Sequence, residues 1–475
     1  MPIAWNAPTA SKVTLAPRLW PGRTPQATKA LTRILEENHN TYELIFGGRF
    51  HNHLSHTTLA LWALGAPESI IQASWDRFQK CLEPMNSTET SLVITKDNWK
   101  DHVGDEKHYQ PYLKFFRSEV GIKGMDAVLE EYVFAPEANA ASGSGRAPEM
   151  FNRNFDGLLH PMIHAGYGLE FNMPGIFAEG MASIATHTAS STGTIPPSSL
   201  EAGAADPKGS LDIFTILGRI IGDEFKVTAG GNLFQAYGEI MGQQGREVKA
   251  LIEEWDLSGP VEKAIEELVW ITTIIFGIVG RETDSSFNAD FFFMHFVTSA
   301  LFLPIWLERI KKPEIKRTFL RGYLSVVLVT YMARGKPVID IHRFFADSTT
   351  LRPTAPGAHP SPALETAKGV PEADAINPNP WIQIIQSTLV HPDEHVPKIQ
   401  RALAHFDELY GDTEKGRFKN SKLEGAEDLD GSLFLRVAGL TMTRNRWVRE
   451  GEEIKTIGTI PPVEIWDFRG FAKKY

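Results

Sequence analysis

Apolar residues recur at three- and four-residue spacing through most of this chain, a period that only helices packed against one another can satisfy. It runs through Ala27–Leu35, Met125–Val133, Val261–Val279, Ile315–Met332, Val396–Leu409 and Ser432–Thr443. Strict alternation is scarce, and no series of short β-branched runs is separated by hairpin turns, which argues against a sandwich or barrel. The expectation is a mostly α protein, a large bundle-like fold with long loops. With 475 residues, 42% of them hydrophobic, the chain can bury a large core, and we read one helical domain over residues 1–475. Three stretches read as loops, at 136–148, 190–209 and 348–380. The last is rich in Pro, Ala, Gly and Asp and fits a lid or a plain linker equally well.

Several function classes are disfavoured at once. The net charge is −10 with both signs interspersed, so the clustered positive charge that nucleic acid or anionic membranes require is missing. The longest apolar runs are Leu268–Val279 and Phe291–Trp306, the second broken by His295 and Pro304. Both fall short of the ~20 residues that span a bilayer and read as buried core helices. The single cysteine, Cys81, forms no internal disulfide and reads as a packed thiol. The N-terminal stretch Met1–Pro8 lacks a basic region followed by a continuous apolar one, and the expected location is cytoplasmic. Gly143-Ser144-Gly145 runs into Arg146-Ala147-Pro148 with no strand before it, so the dinucleotide fingerprint is absent. No P-loop and no Gly-x-Ser-x-Gly elbow occurs.

Fifteen histidines remain, several of them inside apolar helical sequence. A buried imidazole has two ring nitrogens to satisfy, each costing about 1–3 kcal/mol if left unpaired, so a group of them calls for a network or a metal. His53 and His56 stand at i,i+3; His56 lies deeper in the apolar pattern and is the preferred ligand, with His53 a capping or supporting group. His160 and His164 stand at i,i+4, the spacing that lets one helical face grip one ion, and Pro161 suits a first helical position. His391 and His395 share that spacing, but the surrounding prolines and carboxylates suggest that His391 is exposed. Lys398 follows; beside a metal an ammonium must stand off, lose its proton or react with carbon dioxide to become an anionic carbamate ligand. His295, in the most apolar segment, needs a partner, and His187 poses the same question less forcefully. Glu170, Glu179 and Asp290 could orient imidazoles. The one Glu-x-x-His, Glu36–His39, is unpaired, against a helical di-iron carboxylate site.

The blocks Asn52–His56 with Leu64–Ala66, His160–Glu170, His295–Ser299 and His391–Lys398 occur in this order over most of the chain and resemble the hallmark segments of the questin oxidase family. That resemblance implies oxidative ring opening of an anthraquinone in a fungal polyketide pathway. The implied partners are an aromatic quinone and dioxygen. It further implies Fe(II) held by four histidines drawn from His56, His160, His164, His295 and His395, with carbamylated Lys398 as fifth ligand and catalytic group, one position being left for dioxygen. No flavin is expected; NADPH remains open as an external reductant. Two rival readings stand beside it: a metal-free, NADPH-dependent Baeyer-Villiger-type monooxygenase whose histidines act as acids, bases and oxyanion donors, and a non-enzymatic helical pigment-binding protein.

Overall fold

In the computed structural model, which describes residues 5–47, 50–85, 91–141, 145–201, 208–227, 232–281, 286–356, 369–448 and 466–471, the segments of helical period form helices. The chain is mostly α, and the strands among the described residues make one antiparallel ribbon, Ile45–Phe46 with Phe50–His51. Pro25–Thr41 turns Ala27, Leu31, Ile34 and Leu35 into the core, as its spacing requires. Val261–Thr273 continues into a π-helical segment, Ile274–Ile278. Phe291–Ala300 and Leu303–Arg309 are two buried helices bent by 47° at the break, with Pro304 in the first turn of the second. Among the described residues no single helix is long and apolar enough to cross a membrane.

All three loop readings contain short structure. A 3₁₀ turn, Pro136–Ala138, opens the first loop, and another, Pro197–Leu200, lies in the second. The third holds a 3₁₀ turn at Ser348–Thr350 and a short helix, Glu372–Ile376; residues 357–368, where a lid would lie, are outside the described residues. Cys81 corrects an expectation: it ends a 3₁₀ turn, Gln79–Cys81, that leaves the core, so the thiol is exposed and not packed.

Four helices meet around one point: Leu54–Ala63, Asp156–Glu170, Phe291–Ala300 and Val396–Tyr410. Their start points are fixed chemically. Asp290 caps Phe291–Ala300 by accepting from the backbone N–H groups of Phe292 and Phe293, both at 2.9 Å. Asp393 Oδ1 does the same before Val396–Tyr410, accepting from His395 N at 2.8 Å and Val396 N at 3.1 Å. Within Asp156–Glu170, residues Gly157, Leu158 and Leu159 take left-handed backbone, with φ of 51°, 57° and 66°. Such a conformation costs a non-glycine residue about 1–2 kcal/mol. It forces the regular helix to begin at His160-Pro161, where the proline suggested. That helix lies tight against Pro174–Thr186: a Cβ on Gly168 would stand 2.4 Å from Phe177 N, and one on Gly180 2.5 Å from Ala165 N.

Candidate metal centre

The four helix starts each deliver a histidine to the point where they meet. His53 is the N-cap residue of Leu54–Ala63, His395 that of Val396–Tyr410, His160 opens the regular part of its helix, and His295 lies one turn into Phe291–Ala300. Ligand atoms of His53, His160 and His295 lie within 4.8 Å of one another, and all three side chains are buried. Each ring has its Nδ1 committed outward: His53 to Glu394 Oε1 at 2.7 Å, His160 to the Gly157 carbonyl at 2.6 Å, His295 to the Phe291 carbonyl at 2.8 Å. A carbonyl accepts only, so Nδ1 of His160 and of His295 carries the proton and their Nε2 atoms present lone pairs; the same holds for His53 when Glu394, whose pKa burial raises, is ionised. His53 Nε2 and His160 Nε2 nevertheless stand 2.7 Å apart, and His295 Nε2 has no partner. Lone pairs facing at that distance repel unless a cation lies between them.

His395 completes the ring of imidazoles. Its ring lies 4.7 Å from that of His53 and 5.8 Å from that of His295, both edge-on, and both its nitrogens are buried without a hydrogen-bond partner. His53, Glu394 and His395 form a second ligand-atom group within 4.8 Å. Burial, then the neighbouring imidazoles and the Lys398 ammonium, hold His53, His160 and His295 well below their ordinary pKa. His395 is lowered to about 4 by burial and by Lys398, against the opposing pull of Asp393. The cluster is therefore neutral near pH 7, the form that coordinates metals. Lys398 is buried one turn on from His395; burial lowers its pKa, and the Glu394 and Asp393 charges oppose that shift.

A second, separate set lies beside the first. His56 Nε2 meets His164 Nδ1 at 2.9 Å, His164 Nε2 meets Glu179 Oε2 at 2.7 Å, and Glu179 Oε1 meets His39 Nδ1 at 2.6 Å. Tyr167 stacks on the His56 ring at 5.1 Å. The pairing is thus one to one across the two helices, His53 with His160 and His56 with His164. The i,i+3 and i,i+4 spacings do not converge on one point as the sequence reading had them converge. His56 and His164 stand outside both ligand-atom groups, and His53, read as a supporting group, stands inside both. Glu179 orients an imidazole, as anticipated. Glu170 instead forms a buried ion pair with Arg401, and Asp290 one with Arg334.

His391 is buried, contrary to expectation, because its Nε2 reaches the Asn445 carbonyl at 2.9 Å and its Nδ1 accepts from Asp393 N at 3.0 Å. His187 pairs Nε2 to Nε2 with His51 at 2.9 Å. The sequence reading did not single out His51, whose ring stacks parallel on His160 at 4.1 Å, or Glu394. A usable signal was present: His53-Leu54, His160-Pro161 and His395-Val396 each place a histidine directly before the first residue of an apolar helix, where side chains project beyond the helix end.

A family model described as Questin oxidase-like matches residues 50–403. A Baeyer-Villiger oxidase of Pestalotiopsis fici is 28% identical over 433 residues, covering 87% of each chain. A questin oxidase of Aspergillus fumigatus is 26% identical over 452 residues, 90% of this chain and 92% of its own, and one of Aspergillus terreus 25% identical over 421, 84% and 85%.

Proposed function

Since the chain belongs to the questin oxidase-like family and is thus an oxidoreductase, we propose that it is an iron-dependent oxygenase that opens the quinone ring of an anthraquinone-type polyketide. The observation that carries the metal reading is the convergence of the Nε2 atoms of His53 and His160 at 2.7 Å, with the orphaned His295 Nε2 beside them. His53, His160, His295 and His395 would hold the metal, and Lys398, after reaction of its neutral amine with carbon dioxide and loss of a proton, would add an anionic oxygen. Imidazole suits iron, zinc and copper alike, and the choice of iron follows from the oxidative chemistry named for the relatives.

Bound Fe(II) supplies the one-electron chemistry that lets dioxygen react with an organic ring. The chain's own residues do the rest. The outward bonds of the three Nδ1 atoms fix each imidazole in one tautomer and one orientation. Asp393, anchored by Trp466 Nε1 at 3.1 Å, pins the turn that carries His395 and Lys398. Burial of all four rings keeps bulk water from the centre.

Elemental analysis of protein purified without added metal, with and without a His160→Ala change, tests this reading. Near-stoichiometric iron in the parent and little in the variant supports it. No metal after anaerobic Fe(II) reconstitution, with stoichiometric NADPH oxidation during turnover, replaces it with a metal-free Baeyer-Villiger-type reaction, the chemistry in the name of the Pestalotiopsis relative.

A further inference from the structure

Among the described residues, the rings that touch the four histidines of the centre are buried except for two, His51 and Phe291, which are partly exposed. Phe291 lies edge-on to both His295 and His395, at 4.7 and 5.1 Å. It also stacks on Phe468 at 4.3 Å with 28° between the planes, and Phe468 is partly exposed too.

Phe468 is held in place. Phe291 N donates to the Asp467 carbonyl at 2.9 Å and Asp467 N to the Ala289 carbonyl at 2.8 Å, so residues 466–471 run alongside the start of the Phe291–Ala300 helix. Trp466 is fully buried, bonds Asp393 and lies edge-on to His395 at 6.0 Å. Arg334 Nη1 reaches the Phe468 carbonyl at 3.3 Å, and its guanidinium lies over the rings of Phe292 and Phe471. Two phenyl rings fixed by this many contacts, left partly open to solvent and joined to the histidines, do more than fill a core.

We propose that Phe291 and Phe468 form the aromatic wall that receives and orients a flat, polycyclic aromatic substrate beside the centre. This inference rests on the function proposed above and adds to it a specificity-determining pair. One member lies in a segment beyond the residues that the family model matches. Fused aromatic rings offer the stacked or edge-on contact that such a pair favours, and two adjoining phenyl rings present more of it than a one-ring compound can cover.

The test is an anaerobic absorbance titration of the full-length protein, as purified, with 1,8-dihydroxyanthraquinone, followed by steady-state turnover in air. Phe468→Leu and Phe291→Leu, which keep apolar bulk and remove the ring, should each weaken binding roughly five- to tenfold. KM should rise by a similar factor while kcat stays within about twofold. Metal content should match the parent, and Phe468→Trp should restore binding. Unchanged affinity in both leucine variants overturns the proposal, as does metal loss in Phe468→Leu, which would make the ring a support of the centre. A parent protein that binds the quinone without opening it sinks the proposed function and leaves the wall to be decided by the same affinities. A parent that binds none sinks both.

Discussion

Two sets of histidines lie side by side between the same helices and finish differently. The His56–His164–Glu179–His39 set ends on a carboxylate that takes one imidazole on each oxygen. In the His53–His160–His295–His395 set the Nε2 atoms of His53 and His160 face each other, and three ring nitrogens of His295 and His395 have no hydrogen-bond partner. The first leaves one buried ring nitrogen, His56 Nδ1, without a hydrogen-bond partner. The second leaves three, and each such nitrogen is costly. The sets hold three and four histidines; what separates them is that a carboxylate, Glu179, closes the first, whereas in the second the Nε2 atoms of His53 and His160 face each other.

The largest effect should come from breaking the open set. His160→Ala should cut bound metal by ~10²-fold or more in affinity, whereas His164→Ala should leave metal content near that of the parent; elemental analysis of both decides. Equal losses would mean that the two sets are one site. Lys398→Ala should come next, with a roughly 10–100-fold loss of metal affinity and a ring-opening rate that added bicarbonate no longer influences, read by metal competition and product assay.

The closed set should declare itself in acid. Burial pushes the Glu179 carboxyl up, but its bonds to His164 and His39 prevail and bring it down to about 2 from the ordinary 4.5. The unfolded chain takes up this proton before the folded one does. The stabilisation is thus complete above about pH 4.5 and is lost as the pH falls from there towards 2, an effect on the order of a few kcal/mol. Glu179→Gln should flatten that part of the denaturation profile measured by circular dichroism, with metal content at neutral pH retained. The smallest change is Gly157→Ala. Its left-handed φ of 51° and the His187 ring, 2.6 Å from where the Cβ would stand, should lower stability by about 1–2 kcal/mol in urea titrations. Metal affinity should shift only a few-fold through His51 and His160.

Most of the fold was legible because periodicity is local: the six segments read as helical are helical, with a π-helical stretch ending two of them. The centre was half legible. His160, His295, His395 and Lys398 were picked out by apolar surroundings or by spacing, and the structure gathers them at one place. The choice of His56 over His53 followed depth in the apolar pattern, whereas placement depends on which end of a helix faces the meeting point, a tertiary fact. Trp466 and Phe468 carried no signal at all, since they reach the site through backbone pairing with Ala289 and Phe291, far away in sequence. The packed Cys81 and exposed His391 that the sequence suggested are not found, because a 3₁₀ turn carries Cys81 away from the core and the Asn445 carbonyl draws His391 in.

The pairing of residues 466–471 with the start of the Phe291–Ala300 helix also has a consequence in time. During synthesis the four histidine-bearing helices leave the ribosome long before Trp466 does, and domains assemble largely in the order in which they are made. A nascent chain therefore carries its histidine cluster with the Asp393 turn unpinned by Trp466, and contacts of such long sequence separation close late and slowly. The centre is finished by residues made well after its four histidine-bearing helices, which makes its maturation a late step in the folding of the chain.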